Sequence, residues 1–529
     1  MENPIPQVLP AHTLMPVSAV DAYLLTVLSA AAIYVACSLV RSSLDSLKHI
    51  PIVNNKKWYS LSGRKAKARF LAESSFLLEE ARKRYPQQPF RILSNWGVLL
   101  VLPSCFADEI RNDRRLSFSK AALQDSHGHI PGLETVKLVA RDDQLIQTVA
   151  RKHLTKHLCK TPHESEHSKT EFALDVNFGQ SREWYTITLK PAILDIIARI
   201  SSRIYLGDEL CRNTEWLAVT KVYTSAFFAA PVKLGLVPAP LRRFAHWFIP
   251  ECKILREQVQ EARRIIGPIV RRRQVLQAKA LSEGCPAPQF HDALGWAAEE
   301  SAKNGMDYDP AVTQLALSML AIHTTYDLFQ QCILDLAQNP HFIEPLRQEA
   351  LEVVRQYGWT KQGLYHMKLL DSALKETQRL KPGSMVTMRR YVLEDLQLSN
   401  GLLLKKGTRI NVDNQRMRDP DLHEDPRKYD AFRFYKMRQQ PGGEHTAQLV
   451  STSQDHLGFG HGEHSCPGRF FAANEIKVAM AHMLIKYEWK PAESSSAGPD
   501  VKGLLMKSGA GAQIDIRRRE AVAIEGRGI

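Results

Sequence analysis

Between Pro310 and Pro340 the chain runs for 29 residues with neither glycine nor proline. Read as one helix at 1.5 Å per residue, that stretch is about 44 Å long. A helix of this length crosses a whole domain, so the remainder of the chain must be arranged around it. Length alone would suggest about three domains for 529 residues, yet no Pro/Gly/Ser-rich linker divides the sequence. The expectation is one large, mostly α-helical domain over residues 60–529. A small β region is read from PFRILSN and GVLLVLP around Trp96, and from RRYVL, LQLSN and TRINV after Met388, with turns at Asn400-Gly401 and Lys406-Gly407. The polar stretches Thr161–Glu171 and Gly284–Pro310 are expected to be surface loops.

The N-terminal part differs in kind. From Ala22 to Val40 no residue is charged, which is close to the roughly 20 apolar residues that span a bilayer as a helix. Only Glu2 and Asp21 are charged before it, whereas Arg41, Lys48, Lys56, Lys57, Arg64, Lys65, Lys67 and Arg69 follow. The positive-inside rule therefore expects a short lumenal N-terminus (1–21), a transmembrane anchor (22–40), a basic, proline-containing connector (41–59) and a cytosolic body. A cleavable signal peptide would have a shorter apolar region preceded by positive charge. The eight cysteines are scattered without a CxxC pair, which suits a reducing compartment.

Any special cysteine must then act alone, and the segment HLGFGHGEHSCPGRFFAANEIKVAMAHML (456–484) presents one, Cys466. Gly458, Gly460, Gly462 and Gly468 crowd the loop, and an apolar-periodic helix follows at once. A thiolate just ahead of a helix N-terminus is favoured by the dipole and by free backbone N–H groups, as a soft metal ligand requires. Three other readings compete. A phosphate cradle would need G-x-G-x-x-G or a G-K-[ST] ending, and neither occurs. A zinc site from His461, His464 and Cys466 lacks the second cysteine of the P-C-x-x-C pattern. A merely structural turn would be the default if the segment stood alone.

It stands with others. Phe459, Gly462, His464, Cys466 and Gly468 fit F-x-x-G-x-[RH]-x-C-x-G, and in this the chain resembles the cytochromes P450. Upstream, KETQRL carries E-x-x-R as Glu376 and Arg379, and YDAFRFYKMR is similar to the family's F-x-P-x-R-F segment, with Ala431 at the proline and Arg433 at the arginine. In the long helix, LALSMLAIHTTYDLF sets His323 where the family has its acid and Thr324 where it has its hydroxyl. The combination of AIHTT, FRFYK and HGEHSCPGRFF is similar to fungal members that oxidise terpenoid and related secondary metabolites, ent-kaurene oxidase among them.

The resemblance implies the P450 fold, with haem b between the long helix and the cysteine loop. Cys466 would be the axial iron ligand, with Phe459, Gly460 and Gly468 shaping its loop, while His464 and Arg390, or Arg389 in its place, would meet haem propionates. Glu376, Arg379 and Arg433 would form a network holding the loop region. Thr324 would deliver protons to iron-bound dioxygen, with His323, a group able to titrate near neutral pH, substituting for the missing acid. The activity implied is a monooxygenase acting on an apolar small molecule. No nicotinamide or flavin fingerprint occurs, so electrons would come from a separate NADPH-cytochrome P450 reductase, with cytochrome b5 an optional auxiliary, at the endoplasmic reticulum membrane. A haem-thiolate isomerase or dehydratase needing no reductase is the alternative, followed by a non-catalytic haem protein. The net charge of +14 comes with no basic run interleaved with aromatics, so no nucleic-acid partner is expected.

Overall fold

The computed structural model describes residues 47–55, 63–157, 164–493, 495 and 498–520, with scattered residues between 21 and 32. Among them no helix is long and apolar enough to cross a membrane. Most of the expected 22–40 anchor and about half of the 41–59 connector lie outside the described residues. Chain contacts divide the protein into Met1–Pro51 and Ile52–Ile529, and the second unit carries everything that follows.

That unit is built on the long helix, Pro310–Gln338. It starts where the sequence requires. Asp309 caps it, its carboxylate accepting from the N–H groups of Ala311 and Val312 at 2.9 and 3.2 Å, and Pro310 takes the first helical position, where no N–H is needed. Helices Leu189–Leu210, Thr214–Leu236, Pro250–Ser282, Lys368–Leu380 and Arg469–Lys486 all pack on it. The result is two apolar clusters. One joins Ile322, Tyr326 and Phe329 to Ala473, Ile476 and Met480, and the other joins Leu315, Ala316 and Met319 to Trp216, Tyr223 and Phe471.

A five-stranded sheet lies to one side. Its strands run in the order Phe90–Ser94, Gly97–Leu102, Arg409–Asp413, Val386–Val392 and Leu116–Ser117, with only the second and third parallel. A separate three-stranded sheet aligns Tyr185–Thr188, Gln513–Arg518 and Tyr487–Pro491. LQLSN contributes only Leu396–Gln397, paired with Leu403–Leu404.

Two expected loops are corrected. Residues from Glu164 onward form a helix to Phe178, because Ala173, Leu174 and Phe178 make an apolar face that the preceding His/Glu-rich run conceals. Within Gly284–Pro310 lies the helix Ala293–Lys303, buried through Leu294, Trp296 and Ala297 and capped by Asp292, which accepts from Gly295 N at 2.8 Å.

Candidate active site

Cys466 sits three residues before the helix Arg469–Lys486, and its own N–H donates to Phe459 O at 2.8 Å, closing the loop on itself. Close packing dictates two of the glycines. A Cβ at Gly458 would collide with the side chain of Gln378 from the Lys368–Leu380 helix, and one at Gly462, where φ is +76°, would collide with Arg111. Gly460 also has positive φ, +70°, whereas nothing lies within 4 Å of where a Cβ of Gly468 would be, so this side of the loop faces open space. Phe459 packs into the same cluster as Ile322 and Tyr326, and Phe471 into the one bordered by Ala321. The cysteine loop is thereby held against the middle of the long helix.

The thiol is not ready-ionised. Burial pushes Cys466 above its ordinary pKa, outweighing the Gly468 and Arg469 N–H groups and the Arg469 charge that favour the thiolate. The dipole effect read from the sequence is present but loses to desolvation, so ionisation awaits a bound metal. The zinc alternative fails geometrically. His461 Nε2 pairs with Asp108 at 2.8 Å and its Nδ1 with Thr452 at 3.3 Å, and no group of three His, Cys, Asp or Glu suited to a metal exists among the described residues.

Behind the loop, Glu376 and Arg379 are fully buried. Arg379 donates through Nε and Nη2 to the two oxygens of Glu376 at 2.7 and 2.8 Å, and through Nη1 to the carbonyls of Met417 and Pro426 at 2.8 and 2.7 Å. Arg433 Nε adds 3.1 Å to Glu376 Oε1 and Nη1 donates to Glu424 O at 2.6 Å. The helix is thus tied to residues 417–433. A second network escaped the sequence reading. Asp371 takes Arg438 at 2.8 Å, Lys477 at 2.6 Å and the N–H of Leu449 at 2.8 Å, joining this helix to the one that follows Cys466. Lys375, driven down to about 7 by burial, donates to the carbonyls of Thr446 and Gln448.

The strand Val386–Val392 separates the two candidate arginines. Its register breaks between Thr387 and Arg390, and Met388 there adopts φ +48°, a left-handed conformation costing a non-glycine residue about 1–2 kcal/mol. Arg389 pairs with Asp125 at 3.2 Å. Arg390, 2% exposed, makes no ion pair among the described residues, where it leaves Nε without a partner and donates only to Arg389 O; burial and the Arg389 charge lower it to about 10. Beside it is His464, which partial enclosure and the charges of Arg390 and Arg151 push below its usual value.

On the long helix Thr324 is exposed, its hydroxyl donating to Leu320 O at 2.9 Å. His323 turns away, edge-on to Phe228 and Tyr326, and burial together with the charges of Lys507 and Lys190 lowers it to about 3. It is a neutral imidazole throughout the physiological range, not the near-neutral titrating group that the sequence suggested.

Residues 185–512 match the family model for cytochrome P450. The chain is a cytochrome P450. It is 51% identical over 463 residues to cytochrome P450 monooxygenase 2 of Gibberella fujikuroi, covering 87% of each chain. It is 41% identical to monooxygenase hepE of Aspergillus oryzae (89% and 86% covered) and 41% identical to monooxygenase TRI1 of Fusarium sporotrichioides (85% and 82%). A retinoic acid-bound cyanobacterial CYP120A1 structure superposes with TM-score 0.63 over 89% of this P450 and 99% of that chain, at 17% identity. The P450 is therefore a monooxygenase, and its family brings a haem with a cysteine thiolate ligand. The residues present fit that group: one cysteine on a loop with an open side, and a buried guanidinium without an anion among the described residues.

Proposed function

We propose that this P450 oxidises an unactivated carbon of an apolar small molecule, a terpenoid or related fungal secondary metabolite, with electrons from an NADPH-dependent reductase at the endoplasmic reticulum membrane. The observation that carries the reading is the buried Arg390, a cation with no counter-charge among the described residues, close to His464 of the Cys466 loop. A guanidinium left this way costs several kcal/mol unless an anion completes it, and a haem propionate is such an anion. Cys466 would hold the iron, and His464 would donate to the other propionate. When bound, the haem supplies the redox chemistry that activates dioxygen. Thr324 Oγ, exposed on the long helix, would hold and pass a proton at the site.

Membrane seating is supported by a second feature. Leu241, Phe244, Trp247 and Phe248 stand exposed within eight residues, Phe248 at 86%, with Arg242, Arg243 and Arg256 close by, an apolar patch with a basic rim suited to an anionic bilayer surface.

Two measurements test the reading. Microsomes carrying the protein and a fungal NADPH-dependent reductase are expected to show the thiolate-type red-shifted Soret band when reduced under carbon monoxide, and to oxidise apolar terpenoids only with NADPH and oxygen. Product formed without reductase would favour the isomerase alternative. Thr324→Ala is expected to keep the band while product per NADPH falls by about 100-fold, the scale of a lost proton donor; unchanged coupling would remove Thr324 from the mechanism. For Arg390→Leu, haem retention in a competition with apomyoglobin should drop roughly tenfold or more, as when one partner of a buried charge pair is lost. The haem-free protein should melt no lower than wild type. Undiminished haem retention would refute the propionate assignment.

A further inference from the structure

The turn that follows the helix Phe118–Asp125 and the segment joining the helices Thr214–Leu236 and Pro250–Ser282 approach each other without closing. Gly132, at φ +94°, packs so tightly on the helix Pro250–Ser282 that a Cβ there would lie 2.9 Å from Leu255 Cβ and 3.0 Å from Arg256 N. His129, Ile130 and Pro131 then line one side of an open cavity of about 500 Å³, and Pro240, Arg243 and His246 line the other. We propose that this cavity is a headgroup site for one anionic phospholipid, which holds the phosphate through Arg243 and Arg256 and leaves the acyl chains on the aromatic residues beside it. The proposal rests on the membrane seating proposed above and deepens it: the site is saturable and takes one lipid per chain, in place of diffuse attraction between a basic rim and a charged surface.

The first argument is charge. No acid lines the cavity. Among the described residues Arg242, Arg243 and Arg256 make no ion pair. Arg242 donates to Val237 O at 2.9 Å and Gly235 O at 3.4 Å, Arg256 reaches only His246 O and Nδ1, both at 3.4 Å, and Arg243 lies 5.5 Å over the Phe244 ring. The acids at the start of the helix Pro250–Ser282 are taken elsewhere, Glu251 by Lys233 and Glu257 by Lys253. Guanidinium forks left to carbonyls and rings keep N–H groups for a phosphate, whose oxygens they match in pairs.

The second argument is that the walls are built in advance. His246, 5% exposed, is held below its usual pKa by burial and by the Arg256 and His129 charges, so it lines the cavity as a neutral hydrogen-bonding group. On the opposite side His129 stands edge-on to His127 at 6.2 Å. His127 is also 5% exposed, its Nε2 has no hydrogen-bond partner among the described residues, and its φ is +52°. A non-glycine residue holds such a backbone only where its surroundings impose it. The volume is within the roughly 300–1,000 Å³ of ordinary small-molecule sites.

Continuity with the apolar patch selects a lipid over a soluble phosphate. Trp247 belongs to both parts. Its ring stands 4.8 Å from the His246 ring and lies under the Arg256 guanidinium at 4.5 Å, yet the residue is 59% exposed. Phe244, next to Arg243, is 61% exposed. A soluble phosphate has no use for these rings, whereas a diacyl chain buries them.

Calorimetric titration of the full-chain, haem-loaded protein in neutral detergent tests the site with dihexanoyl phosphatidate, a lipid short enough to stay monomeric. One-to-one binding is expected, weakened by salt, with dihexanoyl phosphatidylcholine and glycerol 3-phosphate each at least tenfold weaker. Arg243→Gln and Arg256→Gln should each weaken phosphatidate about tenfold or more, the scale of a lost charge-assisted hydrogen bond, while keeping the carbon monoxide band and melting temperature. Lys253→Gln removes the same charge from the same helix at a residue paired with Glu257, and should leave the affinity within about twofold. Equal binding of phosphatidate and phosphatidylcholine, or an equal loss in Lys253→Gln, would overturn the headgroup site in favour of plain apolar or net-charge adsorption. Glycerol 3-phosphate bound as tightly as the lipid would overturn the lipid assignment. The seating itself is read separately, in phosphatidylcholine nanodiscs with brominated chains, as tryptophan quenching that Trp247→Phe abolishes. A seated protein that ignored phosphatidate would sink the headgroup site alone, whereas unquenched Trp247 would sink the seating.

Discussion

Cys466→Ala yields a folded protein that has lost the red-shifted carbon monoxide band and all oxidation of substrate. Both halves of this expected result follow from how the loop is made. Its shape is set by the contacts of Gly458 on Gln378 and Gly462 on Arg111, by the Cys466 N–H to Phe459 O bond, and by the two networks behind it. The backbone bond survives the substitution, and none of the others involves the sulfur. Removing one partly buried sulfur therefore costs the fold about 1 kcal/mol, the usual scale of a point change without special mechanism. The iron, by contrast, loses its one protein ligand, since His461 is committed to Asp108 and Thr452 and cannot swing in. Far-UV dichroism, pyridine haemochrome content and the reduced carbon monoxide spectrum, measured side by side, check it. A red-shifted band in folded Cys466→Ala protein would mean that another residue holds the iron.

What could be read in the sequence was what local chemistry writes down. Pro310, Pro340 and the absence of glycine between them fix the long helix within a few residues, and Cys466 announces itself because a lone cysteine at a glycine-rich helix start has few other uses. The two strands flanking Trp96 were legible because apolar runs broken by a two-residue turn have one natural pairing. Tertiary context hid the rest. Arg389 and Arg390 are indistinguishable neighbours until the bulge at Met388 sends one to Asp125 and the other into the interior. His323 has an ordinary imidazole in the sequence, and burial, with the charges of Lys507 and Lys190 far away along the chain, pushes it down to a neutral one. Asp371, Arg438 and Lys477 are separated by 67 and 39 further residues and look like solvated charges on amphipathic helices, yet all three are buried. The anchor at 22–40 remains a proposal from composition and charge asymmetry.

The second large effect is expected at Glu376. Glu376→Gln keeps the volume and most of the hydrogen-bonding shape but leaves Arg379 and Arg433 sharing a neutral amide in a site where Glu376 and Arg379 are 0% exposed. Breaking a buried ion pair from one side costs about 3–5 kcal/mol, because the remaining charge is stranded without water. That is a large fraction of the roughly 5–15 kcal/mol that holds a folded domain together. Arg379→Lys should fare little better: an ammonium cannot reach both oxygens of Glu376 and the carbonyls of Met417 and Pro426 at once, whereas the planar fork does so. Both variants should accumulate as haem-poor protein with a lowered melting temperature, although neither side chain touches the haem side of the loop. Glu376→Asp, which keeps the charge and loses reach, should fall between them and wild type. The comparison that decides is with Lys375→Met, on the same helix and as deeply buried, where a side chain already lowered to about 7 gives up only contacts to loop carbonyls. If Lys375→Met lost as much haem as Glu376→Gln, burial on this helix rather than the Glu376 charge network would be what holds the cysteine loop.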